Sequence, residues 1–130
     1  MSELLSIIRE RRSIRKYLER PVSGDDLQQI LEALRWAPSW ANTQCWEVVV
    51  VRDPEVRDRL QATVPAKGNP AFKAVGMAPV VLVMCAKTQV SGFYKGSELT
   101  HFGDWMMYDL GLATQNLCLM AHSLGTGPFS

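Results

Sequence analysis

The sequence predicts one domain of the α+β or α/β class, in which helices surround a small sheet. Its 130 residues suit a single domain spanning residues 1–130, and 47% of them are hydrophobic while 21% are charged, as in a folded soluble protein. Segments with helical periodicity alternate with two β-rich runs, which predicts the order helix, helix, strand, helix, strand, helix.

Two helices and a strand are predicted in the first part of the chain. Residues 3–11 repeat apolar side chains at helical spacing and should form a short amphipathic helix. Ser23 is the expected N-cap of a second helix, which ends at or shortly before Pro38. The apolar stripe of this second helix comprises Leu27, Ile30, Leu31 and Leu34. The β-branched run at residues 46–52 predicts a buried strand.

A third helix and a second strand follow. Asp53 is the expected cap and Pro54 the expected first position of a helix that covers about residues 55–62. Residues 65–70 contain proline, glycine and asparagine, which predicts a loop. The apolar run at residues 79–86 predicts a second buried strand.

The last predicted helix covers residues 103–124 and follows a polar connection at residues 88–97. It is apolar on more than one face, which is typical of a helix at the centre of a core or an interface. Gly125 and Gly127 are its expected C-terminal cap. Too many polar residues interrupt the helix for it to span a membrane. They are Asp104, Asp109, Gln115, Asn116 and His122.

Charge and cysteine usage argue against several classes of function. The net charge of +1 gives no support for binding to nucleic acid or to a membrane surface. The three cysteines are odd in number and far apart, with no C-x-x-C pair, so neither a metal site nor a disulfide framework is expected. This pattern favours a reducing, cytoplasmic location.

One polar cluster near the start of the chain suits a phosphate. Arg11, Arg12, Ser13 and Arg15 lie within five residues. Arginine presents a planar fork of donors that matches phosphate oxygens, such as those of flavin mononucleotide (FMN). Because Arg11 and Arg15 are four residues apart, helical geometry would place them on one face. The alternative is a solvated basic helix end without a ligand.

A second polar cluster lies between the second helix and the first strand. It comprises Pro38, Ser39, Trp40, Asn42 and Gln44. The amides of Asn42 and Gln44 offer both donors and acceptors, which suit the edge of an isoalloxazine ring or its ribityl hydroxyls. Trp40 is the best aromatic candidate for a wall of the ligand site. An ordinary helix-to-strand turn is the alternative, but the two clusters together predict a phosphorylated cofactor.

Lys73, Trp36 and Trp46 are further candidates for the same site. Lys73 could place a cation near a reduced flavin, although a surface lysine with its stem on apolar neighbours is the alternative. Trp36 and Trp46 are expected in the core. No side chain is predicted as a general acid or base. No G-x-G-x-x-G or Walker sequence is present, so a nicotinamide donor would have to dock transiently.

Three stretches resemble the signatures of the FMN-dependent nitroreductase family. They are residues 11–17 (RRSIRKY), residues 37–46 (APSWANTQCW) and residues 109–117 (DLGLATQNL). They occur in the order that the family has, and together they extend over nearly the whole chain. The resemblance implies an α+β fold with a small central sheet flanked by helices, an intertwined homodimer, and FMN at the subunit interface.

The resemblance also implies which residues bind the cofactor. The phosphate and ribityl chain would be held by Arg11, Arg12, Ser13 and Arg15. The ring would be approached from the other subunit by Pro38, Ser39, Trp40 and Asn42, with Gln44 and Lys73 as less firmly aligned contributors. The implied activity is a ping-pong transfer of hydride from NAD(P)H through the flavin to a nitroaromatic, quinone or similar acceptor. The implied partners are a second copy of the chain and that small-molecule acceptor.

The sequence departs from the family pattern at three points. Cys45 stands where the family usually has proline, and Trp40 stands where a small residue is common. The chain ends at Ser130, whereas family members usually continue, so we expect it to lack their usual C-terminal segment. Two alternatives follow: a non-enzymatic dimeric module with an incomplete flavin site, or a flavin enzyme of another reaction type, such as reductive dehalogenation.

Overall fold

A computed structural model describes residues 2–125 of the chain and contains five α-helices and four strands in that range. The helices are α1 (Glu3–Glu10), α2 (Gly24–Arg35), α3 (Pro54–Ala62), α4 (Ala71–Met77) and α5 (Met106–Ser123). The strands are β1 (Trp46–Val51), β2 (Val81–Ala86), β3 (Phe93–Tyr94) and β4 (Ser97–Glu98). The predicted α+β class is confirmed. The two ends of the predicted domain and the expected cap residue Gly127 lie outside the described residues.

Two small antiparallel sheets are present among residues 2–125. In the first, β1 pairs with β2 so that Trp46 lies opposite Ala86 and Val51 lies opposite Val81. In the second, β3 and β4 form a short hairpin within the connection that precedes α5. The sequence predicted the first pair of strands but not the hairpin.

The predicted helix caps are confirmed. The Ser23 hydroxyl accepts from the backbone N–H of Asp26 at 3.0 Å, which begins α2. The Asp53 carboxylate accepts from two backbone N–H groups of the first turn of α3, with Pro54 as the first helical residue. Gly125 follows α5 with a φ of +64°, the left-handed conformation that ends helices without strain in glycine.

The core lies where α5 crosses α2 and the β1–β2 sheet. Leu27, Ile30 and Leu34 of the predicted stripe on α2 are buried, and Leu34 packs with Ala113 of α5. The Asn116 side chain of α5 donates to a carbonyl of α2 at 3.0 Å, which fixes the two helices to each other. The central position predicted for the long apolar helix is therefore confirmed.

Two expectations about the elements are wrong, and one helix was missed. The strands are only half-buried, because each has one partner strand among the described residues, and Val49 is 53% exposed. Trp36 is 79% exposed and donates from its indole to Glu32, whereas Trp46 packs against the core as predicted. Helix α4 was not predicted, because its seven residues follow a proline-rich loop and show no amphipathic stripe.

Candidate functional site

The second polar cluster forms a loop, residues 38–44, that is closed by its own hydrogen bonds. We call it the polar loop. A 3-10 turn spans Trp40–Asn42, and the Ser39 hydroxyl accepts from the backbone N–H of Gln44 at 3.0 Å. Ala41, Asn42 and Gln44 have φ values of 46°, 54° and 49°. Left-handed conformations are costly for residues other than glycine, so neighbouring contacts must hold this shape.

A buried carboxylate on α5 provides such a contact. Asp109 is fully buried, and its two oxygens accept from the backbone N–H of Trp40 at 3.1 and 3.2 Å. The buried Ser91 hydroxyl donates to the same carboxylate at 2.5 Å, and the Cys45 thiol lies 3.9 Å from it. Asp109 therefore joins the polar loop, the segment before the β3–β4 hairpin and helix α5 at one point.

Cys45 is the residue that replaces proline in the family pattern, and it lies beneath the polar loop. Its side chain is 2% exposed. Burial raises the pKa of its thiol, and the Asp109 carboxylate raises it further. The thiol is therefore neutral and packed in the interior, which makes it a poor nucleophile.

The polar loop presents its predicted side chains outward. Pro38, Asn42 and Gln44 are exposed, while Ser39 and Trp40 are half-buried. Within residues 2–125, the amides of Asn42 and Gln44 make no side-chain hydrogen bond. Both amides are therefore available to a ligand.

The first polar cluster lies in an irregular stretch, residues 11–16, that we call the arginine segment. Helix α1 ends at Glu10 with Arg11 as its C-cap, and residues 12–22 form no helix or strand. The helical placement of Arg11 and Arg15 on one face was therefore wrong. The helical period of residues 3–10 does not continue through this stretch, because α1 ends at Glu10.

Two guanidinium groups of the arginine segment donate hydrogen bonds to nearby backbone carbonyls. One nitrogen of Arg12 donates to the carbonyls of Arg9 and Arg11 at 2.5 and 2.8 Å, and Arg15 reaches the Ser13 carbonyl at 3.5 Å. In the part of the chain that the structure describes, none of Arg11, Arg12 and Arg15 forms an ion pair with a carboxylate. Three positive charges thus remain uncompensated within a few residues.

Tyr17 directly follows the arginine segment, and its hydroxyl donates to the Ile14 carbonyl at 3.2 Å. Burial raises the pKa of Tyr17, the nearby Cys118 thiol raises it further, and Arg15 opposes the shift. No hydrogen bond between described residues joins the two clusters directly.

The remaining predicted residue lies apart from both clusters. Lys73 is exposed on α4, and α4 packs against α3. Among residues 2–125, no hydrogen bond or ion pair connects Lys73 to the polar loop or to the arginine segment. The structure therefore gives no support for grouping Lys73 with the other nine residues.

Two concave regions lie outside the predicted residues. The first, the aromatic pocket, has a volume of about 310 Å³ and is lined by Phe102, Asp104, Trp105 and Tyr108 at the start of α5. Trp105 packs edge-to-face against Phe102 and Tyr108, with ring centroids 6.1 and 5.4 Å apart. The second, a cleft of about 450 Å³, lies beside α3 and α4 and is lined by Glu19, Arg52 and Arg57 among others.

Sequence reasoning missed Asp109 and Ser91 as residues of this site. An acidic residue in the first turn of the apolar helix α5 was the available signal. It counted as an argument against a membrane span and as part of the third family signature, but not as a site residue. In residues 2–125, no group of three or more histidine, cysteine, aspartate or glutamate side chains is arranged to hold a metal ion. Over the same range, no helix has both the length and the apolar character needed to cross a membrane.

Comparison with known proteins gives matches over most of the chain. The model of the nitroreductase family matches residues 8–67. A relative from Archaeoglobus fulgidus, provisionally named NADH dehydrogenase/NAD(P)H nitroreductase, is 35% identical over 98% of this chain. An FMN reductase [NAD(P)H] from Bacillus subtilis is 37% identical over 66% of this chain and 32% of its own length.

Solved structures share the fold. A nitroreductase family protein from Clostridium novyi NT superimposes with a TM-score of 0.81 over 95% of this chain, at 26% identity. An FMN-dependent nitroreductase from Clostridium difficile does so with a TM-score of 0.75 over 93% of this chain, at 30% identity. This chain spans 66% and 61% of those two structures and 66% of the Archaeoglobus relative.

Proposed function

Because this chain belongs to the nitroreductase family, we propose that it is an FMN-dependent oxidoreductase that uses NAD(P)H as its hydride donor. The proposal extends to one FMN-binding domain over residues 1–130 and to a cytoplasmic location, since the cysteine usage suits a reducing compartment. Bound FMN would supply the redox chemistry, which is acceptance of a hydride from the nicotinamide and transfer of electrons to a second substrate in ping-pong order. The chain's own residues bind and orient it.

One observation carries the proposal: a pre-shaped polar loop and an uncompensated group of arginines occur in the same small chain. The near-dianionic phosphate of FMN needs positively charged donors, and Arg11, Arg12 and Arg15 have no carboxylate partner among the described residues. The exposed amides of Asn42 and Gln44 match the alternating donors and acceptors of the ring edge. The residues present therefore fit FMN.

The separation of the two clusters supports a site shared between two copies of the chain. They share no direct hydrogen bond among the described residues. Helix α1 also has an apolar face without a single buried residue: Leu4, Leu5 and Ile8 are 61%, 43% and 45% exposed. A homodimer would cover such a face, and it would bring one copy's arginine segment to the other's polar loop.

The aromatic pocket supports the proposal that the electron acceptor is a flat aromatic molecule. Phe102 and Tyr108 are 83% and 60% exposed, so their rings offer open faces for stacking. Trp105 of this pocket lies one helical turn before Asp109, which anchors the polar loop. A nitroaromatic or a quinone has the flat, apolar shape that such a pocket accepts.

The visible absorption spectrum of the purified protein, with NADPH added under anaerobic conditions, tests this proposal. We expect the bands of oxidised flavin in protein mixed with FMN and freed of excess ligand, and we expect them to bleach when NADPH is added. Subsequent addition of a quinone should restore them. Protein that retains no FMN contradicts the proposal, and a dimer that binds FMN without oxidising NADPH or NADH would instead be a non-enzymatic module.

A further inference from the structure

We propose that Asp109 is a positioning residue that sets the shape of the polar loop and thereby the affinity for the flavin. This inference rests on the proposed function, because it assigns a role to a residue that touches the loop rather than the cofactor. The carboxylate is 0% exposed. It lies 69 residues from Trp40 in sequence, yet both of its oxygens accept from the Trp40 backbone N–H.

The environment of Asp109 is unusual for a buried acid. No lysine, arginine or histidine among residues 2–125 forms an ion pair with it. Transfer of a lone carboxylate into a protein interior is costly unless hydrogen bonds compensate for the lost water. Here the compensating hydrogen bonds are donated to Asp109 by the Trp40 N–H, the Ser91 hydroxyl and, more weakly, the Cys45 thiol. A carboxylate suits this position because it only accepts hydrogen bonds, and it can accept several at once.

The loop that Asp109 holds is one that would not keep its shape unaided. Ala41, Asn42 and Gln44 all have left-handed backbone conformations. Within the loop, the Ser39 hydroxyl accepts from the Gln44 N–H. From outside the loop, Asp109 on α5 accepts from the Trp40 N–H. Strained conformations persist only where surrounding contacts over-determine them. Removal of the anchor should therefore release the loop into several conformations, of which few are able to bind flavin.

The test uses Asp109→Ala, with Asn116→Ala as the matched control. Asn116 lies two turns later on the same helix, and its side chain donates to a carbonyl of α2. Asp109→Ala should raise the dissociation constant for FMN about tenfold or more, the equivalent of one lost hydrogen bond to a charged group, and Asn116→Ala should change it less than about twofold.

Backbone amide hydrogen exchange in the absence of flavin provides a readout that does not depend on FMN. The Trp40 N–H should exchange about ten times faster in Asp109→Ala than in the parent and should be unchanged in Asn116→Ala. Asp109→Asn should restore both measurements to near the parental values, because the amide oxygen can still accept from Trp40 while its NH₂ group donates to Ser91. Should Asp109→Ala fail to fold, the same two measurements are made on the double variant Asp109→Leu with Ser91→Ala. This variant replaces both partners of the side-chain hydrogen bond with apolar groups, so that no buried polar group of that pair is left unpaired.

The outcomes separate two failures. If the parent binds no FMN, the proposed function is wrong, and the exchange of Trp40 still decides whether Asp109 holds the loop. If the parent binds FMN but Asp109→Ala binds it equally well, the positioning role is wrong and the flavin site stands. Equal losses of FMN affinity in Asp109→Ala and Asn116→Ala would also overturn the inference, because they would show only that α5 must be intact.

Discussion

The polar loop and the arginine segment are built in opposite ways. The loop has left-handed residues, closes on itself through Ser39 and is anchored from below by the buried carboxylate of Asp109. The arginine segment has no regular structure, and the hydrogen bonds of Arg12 and Arg15 reach only backbone carbonyls close in sequence. The loop thus supplies a fixed shape, whereas the segment supplies charge that a ligand or a second copy of the chain must organise.

This difference matters for how a phosphorylated ligand would be held. Contacts from a pre-organised loop cost little conformational entropy, while long arginine side chains lose rotamer freedom when they bind. The charge-assisted hydrogen bonds of the arginines offset this loss of entropy, because they are about twice as strong as neutral hydrogen bonds. We therefore expect the segment to dominate affinity and the loop to dominate the orientation of the ring.

The largest expected effect comes from removing charge in the arginine segment. Replacing both Arg11 and Arg15 with alanine should raise the dissociation constant for FMN about 100-fold or more, because each contact to a charged group contributes about 1.5–3 kcal/mol. The free energy of unfolding should change by less than about 0.5 kcal/mol. Flavin fluorescence titration and urea denaturation measure the two quantities. The control is Arg35→Ala, which removes an exposed arginine that pairs with Glu32. Unchanged FMN affinity in the Arg11 and Arg15 double variant would contradict the comparison.

A second test concerns the interior beneath the polar loop. Burial raises the pKa of the Cys45 thiol above its ordinary value of 9.0, so the unfolded chain releases this proton at a lower pH than the folded protein. Stability from this group is therefore complete below about pH 9 and is lost as the pH rises toward the folded pKa, with a slope of up to about 1.4 kcal/mol per pH unit.

Urea denaturation between pH 7 and pH 10.5 measures this slope. Cys45→Ala should flatten the decline, although it should also lower stability at every pH by creating a small cavity. Tyr17, whose pKa burial raises from 10.0, should leave a residual slope at the alkaline end of the range. Identical slopes in the parent and in Cys45→Ala would show that the thiol does not titrate differently in the folded state.

A third test addresses backbone strain in the polar loop. A left-handed alanine costs about 1–2 kcal/mol, and the extra freedom of an unfolded glycine costs about 0.5–1 kcal/mol, so Ala41→Gly should raise the free energy of unfolding by about 0.5–1 kcal/mol. Ala62→Gly, in the last turn of α3, should lower it, because that residue is helical. Urea denaturation distinguishes the signs. A loss of stability in Ala41→Gly would mean that the loop is not strained.

The smallest expected effect is at Lys73. Since this side chain is exposed on α4 and makes no hydrogen bond or ion pair with either cluster among residues 2–125, Lys73→Ala should change the dissociation constant for FMN less than about threefold. Lys67→Ala, an exposed lysine in the preceding loop, is the matched control. A tenfold loss confined to Lys73→Ala would show that α4 approaches the flavin, and the site would then need a third element.

Local signals in the sequence predicted most of the fold. Ser23 and Asp53 mark helix starts through side-chain chemistry that acts within three residues, and the structure shows both caps. Helix α4 was missed because it is only seven residues long and, with Lys73 as its one polar residue, shows no alternation of apolar and polar faces. The strands were predicted to be buried because their residues are apolar, but burial depends on how many neighbours cover them.

The site was harder to predict than the fold. The polar loop and the arginine segment were identified from residue types and from their family resemblance, but the helical placement of Arg11 and Arg15 was wrong. The role of Asp109 depends on a contact across 69 residues, which no local pattern can reveal. A single acidic residue in an apolar helix indicates only that something must satisfy it.

The central claim is that the arginine segment recognises the phosphate of the cofactor. Titration of the unaltered protein with FMN and with riboflavin, which lacks the phosphate, tests this most directly. The account predicts that FMN binds about 100-fold more tightly than riboflavin, because the charge-assisted contacts to the phosphate are lost. Equal affinities for the two flavins would contradict it.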